Sequence, residues 1–192
     1  PLFLIVILHG LSFKSPITLL SPAGIWLGVL CVLGILAALY KLLLYPFVAR
    51  AGEYRVINVR SDKGAVHLTL APIGKGFAFK AGQFAFLSFK DKGLREPHPF
   101  TIACAYRENG HLEFVIRALG DYTQALREQV KIGMIADLYA PYGHFKRPAN
   151  AAKEIWIGAG VGISPFIAWL QDPHGERFDA ATLIYCFNPA RA

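Results

Sequence analysis

Cysteine is scarce in this sequence and widely scattered. The 192 residues include three cysteines, Cys31, Cys104 and Cys186, and no two of them form a CxxC pair. This spacing excludes a disulfide framework and gives no support to a zinc or iron–sulfur site. Isolated cysteines usually serve as small apolar side chains, so we expect all three to be buried. A cytosolic setting suits the polar part of such a chain.

Charge is nearly absent from the first 48 residues, and no charged residue occurs from 15 to 40. A stretch of this length exceeds the roughly 20 apolar residues that cross the hydrocarbon core as a helix. We therefore predict a transmembrane helix from Gly24 to Leu44. The apolar residues 1–8 are predicted to end an earlier span, because both ends of the chain resemble cuts through a longer protein. Residues typical of membrane interfaces flank the main span: Trp26, Tyr40, Lys41 and Tyr45.

Long runs of like charge are also absent, although the formal net charge is +7. Basic and acidic residues alternate after residue 50, which predicts a solvated surface with a bias toward anionic lipid and phosphate ligands. No motif supports a nucleic-acid partner, and we predict none. Basic residues are denser after the main span than before it, so the positive-inside tendency places the C-terminal part in the cytoplasm.

His9 follows the first apolar run and is the ionisable residue expected at membrane depth. Such residues are candidates for function, and neutral imidazole is a common axial ligand of haem iron. The alternative is an interfacial histidine that hydrogen-bonds to backbone or lipid headgroups. Position by itself leaves both interpretations open.

After Gly52 the pattern changes to short alternating strands. Turn residues separate the strands at Ser61–Gly64, Asp91–Gly93 and Glu108–Gly110. Several short strands at this spacing predict a small antiparallel barrel. Five segments carry the β-branched and aromatic residues: Tyr54–Arg60, Ala65–Leu70, Gln83–Phe89, Phe100–Cys104 and Leu112–Arg117.

A glycine-rich turn follows the apolar strand Lys153–Ile157 and precedes a helical run, Phe166–Leu170. A strand, a glycine turn and a helix in this order indicate phosphate binding, because glycines let backbone N–H groups approach a diphosphate. Pro165 suits a first helical turn. The candidate nucleotide-binding residues are Gly158, Gly160, Gly162, Ile163, Ser164 and Pro165.

Two further motifs overlap the predicted barrel strands: His98-Pro99-Phe100-Thr101, and Ile116-Arg117 followed by Gly120-Asp121-Tyr122-Thr123. With the glycine loop, they resemble the ferredoxin-reductase-like superfamily, most closely its NADPH oxidase and ferric reductase branch, whose members are membrane flavohaem reductases. The resemblance covers most of the chain and identifies it as a fragment. It implies that FAD binds at His98, Pro99, Phe100, Thr101, Arg117, Gly120, Asp121 and Thr123.

The resemblance also implies a role for each part of these motifs. Phe100 is expected against the isoalloxazine, Thr101 near its redox-active nitrogen, and His98 on the diphosphate side. Gly120 is expected to let the backbone approach the diphosphate, which Arg117 and the N–H groups of a helix beginning near Asp121 also bind. The segment Ala81–Phe84 resembles the family's entry into the strand before the flavin motif, and Leu138–Phe145 resembles the exit turn of the barrel. Ala140 stands where the family usually has glycine.

The nicotinamide preference depends on the end of the second strand, Thr182–Phe187. An acidic residue there would select NADH, but the sequence continues Asn188-Pro189-Ala190-Arg191. The related oxidases often have arginine near this place, so Arg191 favours NADPH, with NADH as the alternative. The resemblance also implies haem b, and it favours His9 as a ligand of the haem iron.

The predicted fold is therefore membrane helices, an all-β FAD-binding barrel, and the first part of an α/β nucleotide-binding domain. The domains are predicted as 1–48, 49–150 and 151–192. The predicted function is a multi-pass enzyme of the cell membrane that moves electrons from cytosolic NAD(P)H through FAD and haem to an external acceptor, oxygen or ferric iron. The alternatives are a membrane-anchored NAD(P)H-flavin reductase without haem that serves a soluble partner, and a non-catalytic membrane subunit. The oligomeric state is left open.

Overall fold

The computed structural model describes residues 5, 20–44, 50–62, 64–148, 152–172, 178 and 180–188. The chain divides into two compact units, Pro1–Val48 and Ala49–Ala192. The predictions for the first span, for His9 and for Arg191 lie outside the described residues, apart from the single helical residue Ile5.

Helix α1 spans Pro22–Leu39 and continues as a π-helical turn through Tyr40–Leu44. The Ser21 side chain accepts a hydrogen bond from the Gly24 N–H at 3.1 Å and so caps the first turn. Pro22 stands where its missing N–H removes no helical hydrogen bond. Helix α1 and the π-helical turn together have 23 residues and a mean hydropathy of 2.4. Their combined length of about 35 Å exceeds the thickness of the hydrocarbon core, about 30 Å. The helix is long and apolar enough to cross a membrane, and it begins two residues before the predicted Gly24.

The second unit begins with a six-stranded antiparallel sheet in the order β4-β3-β6-β1-β2-β5. Helix α2, Asp121–Gln129, lies between β5 and β6 in the chain. The strands are β1 Arg50–Ser61, β2 Ala65–Pro72, β3 Phe84–Phe89, β4 His98–Thr101, β5 Leu112–Arg117 and β6 Ile135–Tyr142.

The two end strands of this sheet, β4 and β5, meet at a single point. Ile102 forms an isolated antiparallel bridge with Phe114, and the Ala103 N–H donates to the Glu113 carbonyl at 2.7 Å. This contact bends the sheet into a nearly closed barrel. The observed strand β4 differs from the predicted strand Phe100–Cys104, because it begins earlier, at His98, and ends at Thr101. It ends at Thr101 because the chain leaves β3 at that point to reach β5.

The barrel core follows from the alternation of side chains along each strand. In β2 and β5 every second residue points inward and is at most 2% exposed. Burying side chains of this size contributes about 1.5–3 kcal/mol each. The inward residues of these two strands are Val66, Leu68, Leu70, Leu112, Phe114 and Ile116.

A parallel pair of strands follows the barrel, β7 Glu154–Ala159 and β8 Ala181–Cys186. Parallel neighbours need a crossover connection, and here it contains a 3-10 turn, Gly160–Ile163, and helix α3, Ser164–Gln171. The predicted strand, glycine turn and helix are therefore present, and Pro165 lies in the first turn of α3.

An aromatic cluster attaches this segment to the barrel. The Trp169 Nε1–H donates to the Ala81 carbonyl at 3.0 Å, and the Trp169 ring stacks on Phe145 with centroids 5.0 Å apart. Arg147 forms a buried ion pair with Glu154, with Nη2 and Oε1 2.7 Å apart. The Trp156 Nε1–H also donates to Glu154, at 2.9 Å, so the carboxylate has partners on both sides.

The cysteine prediction is wrong in part. Cys104 is buried, but Cys31 is half-buried and Cys186 is exposed. Cys186 ends β8, which pairs with β7 alone among the described strands and has exposed side chains along most of its length. Burial raises the pKa of the Cys104 thiol to about 11, so the thiol stays protonated near neutral pH.

A methyl group at Gly82 is expected to destabilise the fold strongly. Gly82 has φ +96°, and an added Cβ would lie 2.1 Å from the Phe145 carbonyl oxygen. Gly93 is a matched control, because it has φ +89° but nothing within 4 Å of its added Cβ. Gly93→Ala should cost about 1 kcal/mol for its backbone conformation, and Gly82→Ala about 1–3 kcal/mol more for overpacking. Urea unfolding followed by tryptophan fluorescence measures both, and equal losses would contradict the tight contact.

The ion pair between Arg147 and Glu154 is expected to make stability depend on pH. The Arg147 hydrogen bonds hold the pKa of Glu154 below its ordinary value of 4.5. The stabilisation is therefore complete above that ordinary value and is lost as the pH falls through the lowered one. Glu154→Gln should lower the urea midpoint at pH 7, and the difference from the wild type should shrink toward acidic pH.

Glu113→Gln is the control for this prediction. Glu113 pairs with Arg107 at 2.7 Å, but both side chains are about a third or more exposed, and exposed pairs contribute about 0–1 kcal/mol. A loss at Glu154 no larger than the loss at Glu113, or one independent of pH, would contradict the role assigned to the buried pair.

Candidate functional site

A cavity of about 670 Å³ lies where β4 and β5 diverge beyond their single bridge. Its volume is in the range of small-molecule and cofactor sites. Strand β4, the end of β5, the start of α2 and the glycine turn all contribute to its wall. The lining residues are His98, Pro99, Phe100, Thr101, Val115, Ile116, Arg117, Leu119, Gly120, Asp121, Tyr122, Thr123, Val161 and Ser164.

Strand β4 forms one wall because, among the described strands, it is paired in register with β3 alone. Its partners in register are Leu87 for His98, Phe86 for Pro99 and Ala85 for Phe100. Pro99 has no N–H to offer to a strand on the other side. Phe100 is half-buried, packs against the barrel core and lines the cavity, so it gives the cavity an apolar wall.

The first turn of α2 forms a further part of the wall. Its N-cap is Gly120, which has no side chain to accept the first N–H groups. The Thr123 hydroxyl oxygen accepts from the N–H groups of Leu119 and Gly120, at 2.9 and 3.0 Å. The Asp121, Tyr122 and Thr123 N–H groups belong to the first turn of the helix and therefore have no intrahelical partner. Such a turn favours an anion.

Arg117 brings a positive charge to the same place. It ends β5, is half-buried, and forms no ion pair with a described residue. Its Nη1 lies 4.0 Å from the position that a Cβ of Gly160 would take. The guanidinium therefore lies between the barrel and the glycine turn, where it can bind a phosphate.

The glycine turn is held in shape from within. Gly160 has φ +52°, and an added Cβ on Gly158 would lie 3.2 Å from the Cα of Ile163, so both positions favour glycine. Ser164 is 1% exposed, and its hydroxyl donates to the Val161 carbonyl at 2.7 Å. Val161 and Ser164 are the residues of this turn that line the cavity.

His98 and Tyr122 stack face to face in the cavity wall. Their ring centroids are 3.6 Å apart and the rings are inclined by 14°. The Tyr122 hydroxyl donates to the Leu94 carbonyl at 3.3 Å. Burial, with a smaller contribution from the charge of Glu96, raises the pKa of Tyr122 to about 12. The phenol is therefore neutral and remains a donor across the physiological pH range.

The structure brings all eight residues predicted for FAD to this one cavity, together with Ser164 of the glycine loop. Gly158, Gly160, Gly162, Ile163 and Pro165 shape the turn without lining the cavity. Their binding roles stay predictions, as do those of His9 and Arg191. The sequence analysis assigned no role to Tyr122, which lies in the motif from Gly120 to Thr123, or to Val161, which lies between Gly160 and Gly162. Their positions in these motifs were the available signal.

Residues 52–142 match the model of an FAD-binding domain. The propane 2-monooxygenase reductase component of Rhodococcus jostii (strain RHA1) is 31% identical over 113 residues, which are 57% of this chain and 30% of that protein. Dual oxidase 2 of Sus scrofa is 33% identical over 108 residues, 51% of this chain and 7% of the oxidase. The chloroplastic ferric reduction oxidase 7 of Arabidopsis thaliana is 28% identical over 142 residues, 62% of this chain and 19% of that protein.

Among solved structures, the fold resembles the flavohem-like FAD/NAD-binding domain of nitric oxide dioxygenase from Vibrio cholerae O1 biovar El Tor. The TM-score is 0.65 and the identity 22%, over 74% of this chain and 65% of that one. Residues 52–142 thus match an FAD-binding domain, and the fold is that of a ferredoxin-reductase-type barrel. The chain's homologues include NADPH oxidases and a ferric reductase, which are flavin-dependent NAD(P)H oxidoreductases. The chain spans less than a third of the length of each of these three relatives.

Proposed function

We propose that this chain is the flavin- and nucleotide-binding part of a membrane oxidoreductase. Electrons pass from cytosolic NAD(P)H through FAD to haem b in the membrane and then to an external acceptor, oxygen or ferric iron. One observation carries the proposal. The cavity between β4, β5 and α2 also receives Val161 and Ser164 from the glycine turn. The sites assigned to the electron donor and to the flavin therefore share one space.

The residues of the cavity suit FAD in three respects. The Arg117 guanidinium and the N–H groups of the first α2 turn are matched to the charge of a diphosphate. The Phe100 ring offers an apolar wall to a flat ring system and excludes water from its face. The Thr101 hydroxyl is available as a hydrogen-bond donor beside that wall. When bound, FAD supplies the exchange between hydride transfer and single-electron transfer.

NAD(P)H is assigned to the glycine turn. Gly158 and Gly160 keep side chains away from the backbone between β7 and α3, so that N–H groups can meet a diphosphate. The hydrogen bond from the Ser164 hydroxyl to the Val161 carbonyl holds the shape of the turn. Hydride transfer needs no general base, and we assign none. We propose NADPH rather than NADH as the electron donor, because Arg191 lies near the place where the related oxidases often have arginine.

The membrane part of the proposal rests on helix α1. All residues of α1 except Gly24 and Cys31 are exposed within its unit. A helix that is apolar on every side is suited to contact with lipid. We propose a multi-pass protein of the cell membrane with both cofactor-binding regions in the cytoplasm. Haem b and its ligand His9 enter through the resemblance alone. The described residues contain no cluster of three metal-ligating side chains.

One comparison favours a second candidate function. A matched relative is the reductase component of a propane 2-monooxygenase, and its name implies that it serves another component. By analogy, this chain would be a membrane-anchored NAD(P)H-flavin reductase without haem that serves a soluble partner. The spectrum of the whole protein separates the two candidates.

Arg117 is expected to be important for flavin affinity. Removing a charge-assisted hydrogen bond of this kind costs about 1.5–3 kcal/mol, so Arg117→Ala should weaken FAD binding about 10- to 100-fold. The Kd is measured by flavin fluorescence quenching on the detergent-solubilised chain. Arg60→Ala is the control, because Arg60 is exposed on β1 and lies outside the cavity lining. Equal affinities of the two variants would contradict the assigned site.

The electron path is tested by the anaerobic absorption spectrum of the full-length gene product, supplied with FAD, before and after NADPH is added. Flavin bleaching followed by the bands of reduced six-coordinate haem is the expected result. Bleaching without haem bands would support the anchored flavin reductase. A protein that retains no flavin would contradict both candidates and leave the non-catalytic membrane subunit.

A further inference from the structure

The Tyr122 side chain contacts the segment from Leu94 to His98 in two places, through its hydroxyl and through its ring. Its hydroxyl donates to the Leu94 carbonyl at 3.3 Å, and its ring stacks on His98 at 3.6 Å. Leu94 is fully buried, so the carbonyl is held by a residue that has little freedom to move. The five-residue segment from Leu94 to His98 therefore wraps around one side chain of helix α2.

His98 is restrained a second time within this segment. Its Nδ1 lies 3.0 Å from the Glu96 carbonyl oxygen, and a carbonyl can only accept, so Nδ1 carries the hydrogen. The other nitrogen, Nε2, is then the one left for a ligand in the cavity that His98 lines. Stacking on Tyr122 fixes the plane of the imidazole. The hydrogen bond to the Glu96 carbonyl keeps Nδ1 on that side of the ring and leaves Nε2 as the free nitrogen.

We propose that Tyr122 is a positioning residue of the flavin site, which acts through His98 by setting the plane of its ring. This inference rests on the proposed function, because it takes FAD as the ligand of the cavity. Tyr122 belongs to α2 and His98 to β4, and these elements form two walls of the cavity. Their stack thereby also sets the separation between the walls.

The same contacts explain why an aromatic residue is needed at position 122. A flat ring can cover the whole face of the imidazole, and stacked rings contribute more than the area they bury. An aliphatic side chain of similar size would fill the space but leave the imidazole free to tilt. The hydroxyl matters less than the ring, because its bond to Leu94 restrains the loop and does not touch His98.

The test is a double-mutant cycle on FAD affinity, measured by flavin fluorescence quenching on the detergent-solubilised full chain. Tyr122→Leu should weaken binding about threefold to tenfold, as expected for the loss of a ring stack. Tyr122→Phe keeps the ring and should stay within about twofold of the wild type. In a His98→Leu background, Tyr122→Leu should have no further effect, because the side chain through which it acts is gone.

The inference is overturned if Tyr122→Leu has the same effect in both backgrounds, or no effect in either. A loss by Tyr122→Phe equal to that of Tyr122→Leu would also overturn it, since the hydroxyl and not the ring would then be responsible. Tyr122→Met takes the place of Tyr122→Leu if the leucine variant does not fold, as judged by its urea midpoint. Failure of the wild-type chain to bind FAD would instead contradict the proposed function.

Discussion

Between β4 and β5 the barrel pairs at Ile102 and Phe114 and, within the described part of the chain, no further toward Arg117. Pro99 cannot donate the hydrogen bond that would extend the pairing. The two strands therefore separate, and the gap exposes a half-buried aromatic residue on one side and an arginine on the other. The cavity thus exists because the barrel stays open between β4 and β5. Helix α2, which follows β5, forms the end wall of the cavity.

The electrostatics of this gap follow from the same geometry. A strand that ends at Arg117 and a helix that begins after Gly120 bring a guanidinium and a turn of N–H groups to one place. Both favour an anion. The stack of His98 on Tyr122 joins the opposite wall to that helix, and the glycine turn adds Val161 and Ser164. The site is built by local chain reversals around a rigid barrel, and the barrel core is what holds them in register.

Local patterns predicted most of this architecture. Helix α1, five of the six barrel strands and the glycine turn before α3 were predicted from residue periodicity and turn chemistry. Strand β6, Ile135–Tyr142, was not among the predicted strands, and the helix starting at Asp121 was implied by the resemblance. The motif residues that line the cavity were readable from resemblance. The stack of His98 on Tyr122 could not be predicted from the sequence, because it joins residues far apart in the chain through a specific orientation of two rings. The ion pair of Arg147 with Glu154 and the exposure of Cys186 likewise depend on tertiary placement, which composition does not encode.

A structure of the full-length protein determined with FAD bound tests the central claim most directly, because it shows where the cofactor lies. The account predicts the diphosphate against Arg117 and the N–H groups of the first α2 turn, with the isoalloxazine on Phe100. FAD bound elsewhere in the protein, or bound in this cavity without contact to Arg117 and the α2 turn, would contradict it.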